Sequence, residues 1–232
     1  MAQNDSLSRY EKIGFPDSYR AGKEHLIFQD IAAKLRALNE REKTILDIGP
    51  GCSELPLMLI DLCRLNGHTL ILVDSAEMLS QLPEEPFIKR ITGSYPDCSA
   101  QLEEYRGRID TILCYSVLHY VFAEGNVWEF LDKSLELLAV GGEMLLGDVP
   151  NVSKRKRFFS SPTGVKFHRE FTGTDEAPDV AFNQVEPGRI DDAVVVSLLL
   201  RARGAGFDAY VMPQRDELPM ANRREDILIR RP

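Results

Sequence analysis

The feature that most restricts the fold of this chain is an alternation, from residue 44 onwards, of short apolar runs with segments of helical length. Gly, Pro, Asp or Ser bounds each run, as is typical of strands. The strand-like runs are residues 44–48, 69–73, 88–92, 110–114 and 143–147, and the helix-compatible segments are residues 54–66, 76–81, 99–105 and 126–138. Because strands that alternate with helices pair in parallel, we predict a doubly wound α/β fold with a mostly parallel sheet.

Three further regions surround this core of residues 41–149. Residues 1–40 carry apolar side chains at helical spacing, which predicts a helical lid or flank. Residues 150–190 are rich in Gly, Pro, Lys, Arg and Phe, which predicts a loop-rich insertion after the fifth strand. Residues 191–232 predict a closing helix and two terminal strands, at residues 207–212 and 226–229. No repeat or linker interrupts the pattern, so we expect a single domain over residues 1–232.

The composition is that of an ordinary globular protein. The 232 residues are 44% hydrophobic and 28% charged. No apolar stretch approaches the roughly 18 residues that cross a bilayer, and the first residues lack a basic stretch followed by an apolar run. We therefore expect no membrane partner and a cytoplasmic location. The net charge of −8 argues against a nucleic-acid partner, because affinity for DNA and RNA rests on positive charge. The sequence leaves open whether the protein forms a homodimer.

The four cysteines give no sign of a metal site. Their spacing includes no Cys-x-x-Cys pair, and no histidine lies at ligand spacing from them. We expect no metal and no disulfide framework, and we predict buried, reduced thiols.

The most informative motif is the turn at Gly49 and Gly51, between the first predicted strand and the helix that starts near Glu54. Glycine lets the backbone approach a ligand, because it has no side chain and tolerates positive φ. A second strand ends in Asp74, 23 residues after Gly51, which is close to the spacing at which a carboxylate binds ribose hydroxyls. Together the two features predict an adenosine-type ligand.

The residue at position 54, a glutamate, distinguishes between two classes of adenosine-type ligand. A dinucleotide fingerprint has its third glycine at this position, which leaves the helix N-terminus open to a pyrophosphate. A carboxylate there opposes anion binding and disfavours NAD. S-adenosylmethionine instead carries a sulfonium and an ammonium, which suit Asp47, Glu54 and an acidic first part of the chain. Residues 1–150 contain 14 Lys and Arg against 24 Asp and Glu.

In combination these motifs resemble those of the class I S-adenosylmethionine-dependent methyltransferases. The resemblance covers residues 40–150 well and the tail loosely. It rests on LDIGPG at 46–51 (glycine motif), VD at 73–74 (ribose acid), GS at 93–94 (adenine turn), DTILCYSVLHY at 110–120 (fourth strand and turn) and LAVGGE at 138–143 (turn before the fifth strand). The family implies a seven-stranded sheet whose last strand is antiparallel, a Rossmann-like methyltransferase fold.

The resemblance also implies a cofactor, S-adenosyl-L-methionine, and a set of residues that contact it. These are Asp47, Gly49 and Gly51 at the methionine moiety, Asp74 and Ser75 at the ribose, Ser94 and Tyr95 at the adenine end, and Tyr115 and Ser116 beneath the sulfonium. The family more often has Asp where this chain has Ser94, so we expect a neighbouring backbone group to contact the adenine amino group.

Three residues are candidates for catalysis. His119 follows the predicted pocket floor, where a histidine with a near-neutral pKa acts as a general base; otherwise it is a packed histidine. Asp148 follows the fifth strand, and the carboxyl ends of parallel strands are where such sheets bind ligands; otherwise it is a turn residue. His168 is either a substrate contact within the insertion or a solvated loop residue.

A run of four cations at residues 154–157 follows the predicted catalytic edge of the sheet. Such a run is either solvated or a site for phosphate or carboxylate. Residues 151–232 contain 14 Lys and Arg against 12 Asp and Glu, so the positive charge lies on the side expected to hold the substrate. The sequence therefore predicts methyl transfer to an oxygen or nitrogen of a small anionic acceptor: a nucleotide-linked or phosphorylated sugar, or a carboxylated metabolite.

Two other functions stay open. An NAD(P)-dependent oxidoreductase would have to accept a pyrophosphate beside Glu54. A non-catalytic regulatory protein on the same scaffold would bind the cofactor but lack a base.

Overall fold

A seven-stranded sheet runs through the computed structural model, which describes residue 4 and residues 6–232. Its strands are β1 (Thr44–Ile48), β2 (Thr69–Asp74), β3 (Ile88–Thr92), β4 (Ile109–Tyr115), β5 (Leu138–Pro150), β6 (Asp208–Met212) and β7 (Arg224–Arg230). The strand order is β3-β2-β1-β4-β5-β7-β6, in which β1 to β5 pair in parallel and β7 runs antiparallel to both neighbours. The predicted doubly wound, mostly parallel sheet with an antiparallel last strand is confirmed.

The helices lie in two layers, because successive side chains of a strand point to opposite faces. They are α1 (Arg9–Lys12), α2 (Asp17–Arg20), α3 (Glu24–Lys34), α4 (Glu54–Asn66), α5 (Ala76–Leu79), α6 (Leu118–Glu124), α7 (Val127–Leu137), α8 (Val152–Phe159), α9 (Pro162–Thr172) and α10 (Asp192–Gly204). Ile45 of β1 belongs to a core shared with α3 and α4. Its neighbour Leu46 belongs to the opposite core, shared with α6, α7 and α10.

The region before β1 contains α1 to α3 and a 3₁₀ turn at Arg36–Asn39, so it is helical as predicted. Residues 1–3 and residue 5 of the predicted helical flank lie outside the described part of the chain. A second 3₁₀ helix, Asp97–Tyr105, forms where the sequence predicted a helix near residues 99–105. No described helix is both long and apolar enough to cross a membrane.

The prediction of a loop-rich insertion at 150–190 is wrong for its first half, which forms helices α8 and α9. Ser161 is the N-cap of helix α9, and its side chain accepts a hydrogen bond from the Gly164 amide. Pro162 follows in the first turn, and the helix is capped at its C-terminus by Gly173 in the left-handed conformation. Gly164 also lets the two helices meet, since a Cβ there would lie 1.9 Å from the Phe158 carbonyl oxygen. The Gly, Pro and charged residues that suggested a loop are therefore helix boundaries and exposed helix positions.

Candidate functional site

The glycine loop between β1 and α4 has a conformation that only glycine adopts without strain. Gly49 and Gly51 have φ of +71° and +66°. A Cβ at Gly49 would lie 2.6 Å from Val117 Cγ2, and one at Gly51 would lie 2.7 Å from Ile13 Cγ2. The loop is held at the carboxyl end of β2, because the Gly51 amide donates a 3.0 Å hydrogen bond to Asp74 Oδ2.

Beside this loop lies a cavity of about 240 Å³, here called the glycine-loop cavity. Its walls include Gly49, Gly51, Asp74, Tyr115 and Ser116, which are five of the predicted cofactor residues. Asp74 also accepts a 2.7 Å hydrogen bond from the Ser75 amide. Burial raises the pKa of Asp74, and the two amide donors oppose that shift.

Asp47, at the end of β1, is a buried acid without a partner. Its side chain is 5% exposed, and it takes part in no hydrogen bond or ion pair with the described residues. Burial, together with the charge of Asp74, raises the pKa of Asp47 to about 8. Because an unpaired buried carboxyl is costly, its presence points to a cationic or hydrogen-bonding group that belongs beside it.

Asp148 is the centre of a buried polar network at the end of β5. Its Oδ2 accepts hydrogen bonds from Ser116 Oγ and from Arg224 Nη1, the latter at 2.8 Å, and it lies 3.4 Å from Arg20 Nη2. Asp148 and Ser116 have φ of +57° and +61°, a conformation that costs a non-glycine residue about 1–3 kcal/mol. Since two guanidinium groups hold this carboxylate, the structure favours a positioning role for Asp148 over that of a base.

Arg20, on α2, is the functional candidate that the sequence analysis missed. It is the one basic residue among the described walls of the glycine-loop cavity, and it is 3% exposed. Its guanidinium lies 4.4 Å from the Phe15 ring centroid and pairs with Glu24 at 3.6 Å. Arg20 Nη2 also donates a 2.6 Å hydrogen bond to Ser116 Oγ.

A second cavity of about 700 Å³, here called the arginine cavity, adjoins the first because Tyr120 lines both. Its wall contains His119 and four arginines, together with an apolar part. The arginines are Arg155, Arg189, Arg223 and Arg224, and the apolar part includes Val152, Phe159 and Ile190. The carboxylate of Asp74 thus borders one cavity, and guanidinium groups border its neighbour.

His119, on α6, lies in the arginine cavity but lacks the near-neutral pKa that the sequence predicted. Burial and the nearby cations Arg224 and Arg189 lower its pKa to about 4. Its Nδ1 atom is buried and has no partner among the described residues. The sequence analysis was wrong on the pKa because it could not place two arginines from distant segments against the ring.

Replacing His119 by Asn is expected to reduce the loss of stability on acidification. The folded pKa of about 4 lies below the unfolded value of about 6.5, so the unfolded chain binds more protons between them. The stability that neutral His119 contributes is therefore present above about pH 6.5 and is lost as the pH falls towards 4. In urea unfolding, the wild type should lose on the order of 1 kcal/mol more than H119N between about pH 7 and pH 5. If the wild type and H119N lose the same free energy of unfolding over this pH range, the lowered pKa of His119 is contradicted.

The other four predicted cofactor residues do not line the glycine-loop cavity; they are Asp47, Ser75, Ser94 and Tyr95. The Tyr95 side chain is in the core, where its hydroxyl lies 3.2 Å from Ser134 Oγ, so it cannot contact a ligand there. Ser94 is exposed, and Ser75 is the exposed N-cap of α5. His168 lines an outer cavity of about 370 Å³, which shares Arg155 and Phe159 with the arginine cavity.

The basic run at 154–157 meets the arginine cavity at one residue, Arg155. Lys154 Nζ donates to the Arg224 carbonyl at 2.6 Å, Lys156 pairs with Glu186 at 3.1 Å, and Arg157 pairs with Asp192 at 2.5 Å. Three of the four cations thus have partners within the fold, and Arg155 is the member of the run that lines this cavity. A helix turns its side chains in different directions, so consecutive cations do not share a face.

The four cysteines are buried and free, as predicted. Within the described residues, no group of three or more His, Cys, Asp or Glu side chains could hold a metal ion.

Solved methyltransferase structures share this architecture. The chain matches the CurJ carbon methyltransferase with a TM-score of 0.60 and 18% identity over 93% of its length, and it spans 57% of that chain. It matches the N-methyltransferase NodS from Bradyrhizobium japonicum WM9, solved with S-adenosyl-L-homocysteine, with a TM-score of 0.59 and 13% identity over 96% of this chain and 95% of the other. The plantazolicin methyltransferase BpumL, also solved with S-adenosyl-L-homocysteine, gives a TM-score of 0.60 and 12% identity over 93% and 87%.

The chain therefore has the fold of the class I S-adenosylmethionine-dependent methyltransferases. No protein-family model matches it, and no curated protein matches its sequence. At identities of 12% to 18%, the likeness establishes the architecture, and the activity must be argued from the site.

Proposed function

We propose that this protein is an S-adenosylmethionine-dependent methyltransferase that acts on a small anionic molecule. The observation that carries the proposal is the pair of adjoining cavities. The glycine-loop cavity contains the carboxylate of Asp74 and a single guanidinium, whereas the arginine cavity is cationic, and Tyr120 lines both. Such a pair can bind two ligands of different charge side by side.

The residues of the glycine-loop cavity suit the groups of S-adenosylmethionine. Arg20 offers a guanidinium to the methionine carboxylate, and Asp74 offers a carboxylate to the ribose hydroxyls. Asp47, buried without a partner, has the chemistry to receive the ammonium through a hydrogen bond or a water. When bound, the cofactor supplies a methyl group made electrophilic by the adjacent sulfonium.

The chain's own contribution to the reaction is positioning and proton removal. Ser116 and Asp148 fix Arg20 and Arg224 at the boundary between the two cavities, and such pre-organisation favours near-attack geometry. Neutral His119 can accept a proton from an acceptor hydroxyl or amine. An anionic acceptor that neutralises Arg224 and Arg189 raises the pKa of His119 and makes it a stronger base when substrate is bound.

The test is transfer of label from S-adenosylmethionine that carries an isotopically labelled methyl group. The protein is incubated with this cofactor and a metabolite extract, and the products are separated by anion exchange. We expect label in a small compound that the anion exchanger retains, and much less label with the D74A variant. Label confined to neutral or cationic products would contradict the anionic acceptor. Binding of the cofactor without any transfer would favour the non-catalytic alternative.

A further inference from the structure

Three guanidinium groups in the wall of the arginine cavity lack an acidic partner among the residues that the structure describes. They belong to Arg155 on α8, Arg189 before α10 and Arg223 before β7. None of the three forms an ion pair with a described residue, whereas the fourth arginine of the wall, Arg224, pairs with Asp148. Unpaired guanidinium groups that converge on one cavity from three segments repel each other unless an anion lies between them.

The acids of the same wall do not neutralise this charge. Glu186 is paired with Lys156 at 3.1 Å, and Glu124 is exposed at the end of α6. Even if the charge of Glu124 is counted against the three arginines, an excess of two positive charges is left in the wall. A ligand that carries two negative charges would balance it.

Aromatic rings lie beside two of these guanidinium groups. Arg223 lies 5.6 Å from the Phe159 ring centroid and 5.7 Å from that of Phe167, and Arg155 lies 5.8 Å from Phe159. Burial lowers the pKa of Arg223; Tyr19 opposes this shift, and the charges of Arg224 and Arg155 add to it. The rings pack beside the guanidinium groups, and the fork of donors on a guanidinium suits the several oxygens of one phosphate.

Building on the proposed methyl transfer, we propose that the acceptor is a phosphate monoester, whose doubly charged phosphate is held by Arg155, Arg189 and Arg223. A carboxylate carries one negative charge and two oxygens, and a phosphodiester also carries one charge. A phosphate monoester carries about −1.5 to −2 at neutral pH and offers three acceptor oxygens. It therefore matches both the number of guanidinium groups and the excess charge of the wall. The methylated atom then lies towards Tyr120 and His119, where the two cavities meet.

The test compares phenyl phosphate with benzoate, which share a ring and differ in the charged group. Binding of each probe is measured by calorimetry at about pH 8, where the phosphate is fully ionised, in the presence of S-adenosyl-L-homocysteine. We expect phenyl phosphate to bind at least tenfold more tightly than benzoate. The variants R155Q, R189Q and R223Q should each lose at least threefold in phenyl phosphate affinity and much less in benzoate affinity. Arg155 and Arg189 are exposed, so their replacement leaves the core intact.

The matched control is R169Q, because Arg169 is an exposed cation of α9 that lines neither cavity. It should bind phenyl phosphate as the wild type does. Equal affinities for the two probes, or equal losses in R169Q and R223Q, would overturn the phosphate site. A separate titration of each cofactor-free protein with S-adenosyl-L-homocysteine keeps the two proposals apart, because a failure there contradicts the methyltransferase proposal whatever the probes show.

Discussion

Replacing Asp74 by alanine should weaken the binding of S-adenosyl-L-homocysteine by more than tenfold, or about 1.4 kcal/mol. The carboxylate anchors the glycine loop through the Gly51 amide at 3.0 Å, and Asp74 lines the cavity in which we place the ribose. The substitution therefore removes both a ligand contact and a constraint on the loop. Calorimetric titration of the purified variant measures the change.

The control for this prediction is E77A, which removes an acid from exposed α5 three residues away. Its affinity should equal that of the wild type, which would exclude a general effect of negative charge. If D74A binds S-adenosyl-L-homocysteine as tightly as E77A does, Asp74 is not at the ribose and the proposed orientation of the cofactor is wrong.

The second large effect is expected from Arg20, whose replacement by methionine should lower the free energy of unfolding by about 3 kcal/mol. Methionine keeps much of the side-chain volume but leaves the buried Glu24 without its cation and removes one of two cations from Asp148. Breaking a buried ion pair at one partner is costly, because the other charge stays desolvated. Urea unfolding measures the loss, and cofactor affinity should fall as well.

A comparison with R157M isolates the effect of burial. Arg157 pairs with Asp192 on the surface, where both side chains are about half exposed, so this substitution should cost less than 1 kcal/mol, or about the value of a surface pair. Equal losses in the two variants would show that the Arg20 network contributes no more than a surface ion pair.

The sequence predicted the central sheet and the glycine loop because their signals are local. The strands β1 and β3 have the predicted bounds, since short runs bounded by turn residues indicate a strand without reference to the rest of the chain. Gly49, Gly51 and Asp74 line one cavity for a similar reason, because two neighbouring parallel strands end at the same edge of the sheet.

The parts that the sequence did not predict depend on contacts between distant segments. Asp148 meets Arg20, 128 residues away, and Arg224, 76 residues away, and no local pattern announces either contact. The pKa of His119 is set by Arg224 and Arg189 in the same way. The family resemblance implied that Tyr95 lies at the adenine end, but its ring packs against Phe130 in the core.

The insertion was misread for a different reason. Ser161-Pro162 and Gly173 are ordinary start and stop signals of a helix, yet the composition around them resembles that of a loop. Composition averages over a segment, whereas a helix depends on where its caps and glycines fall. The capping residues were therefore the better guide to this region.

The most direct test of the account is a calorimetric titration of the wild-type protein with S-adenosyl-L-homocysteine and, separately, with NADH. We predict that S-adenosyl-L-homocysteine binds with one molecule per chain, that S-adenosylmethionine competes with it, and that NADH does not bind, since Glu54 lies at the helix start that a pyrophosphate would occupy. Binding of NADH without binding of S-adenosyl-L-homocysteine would contradict the proposed function.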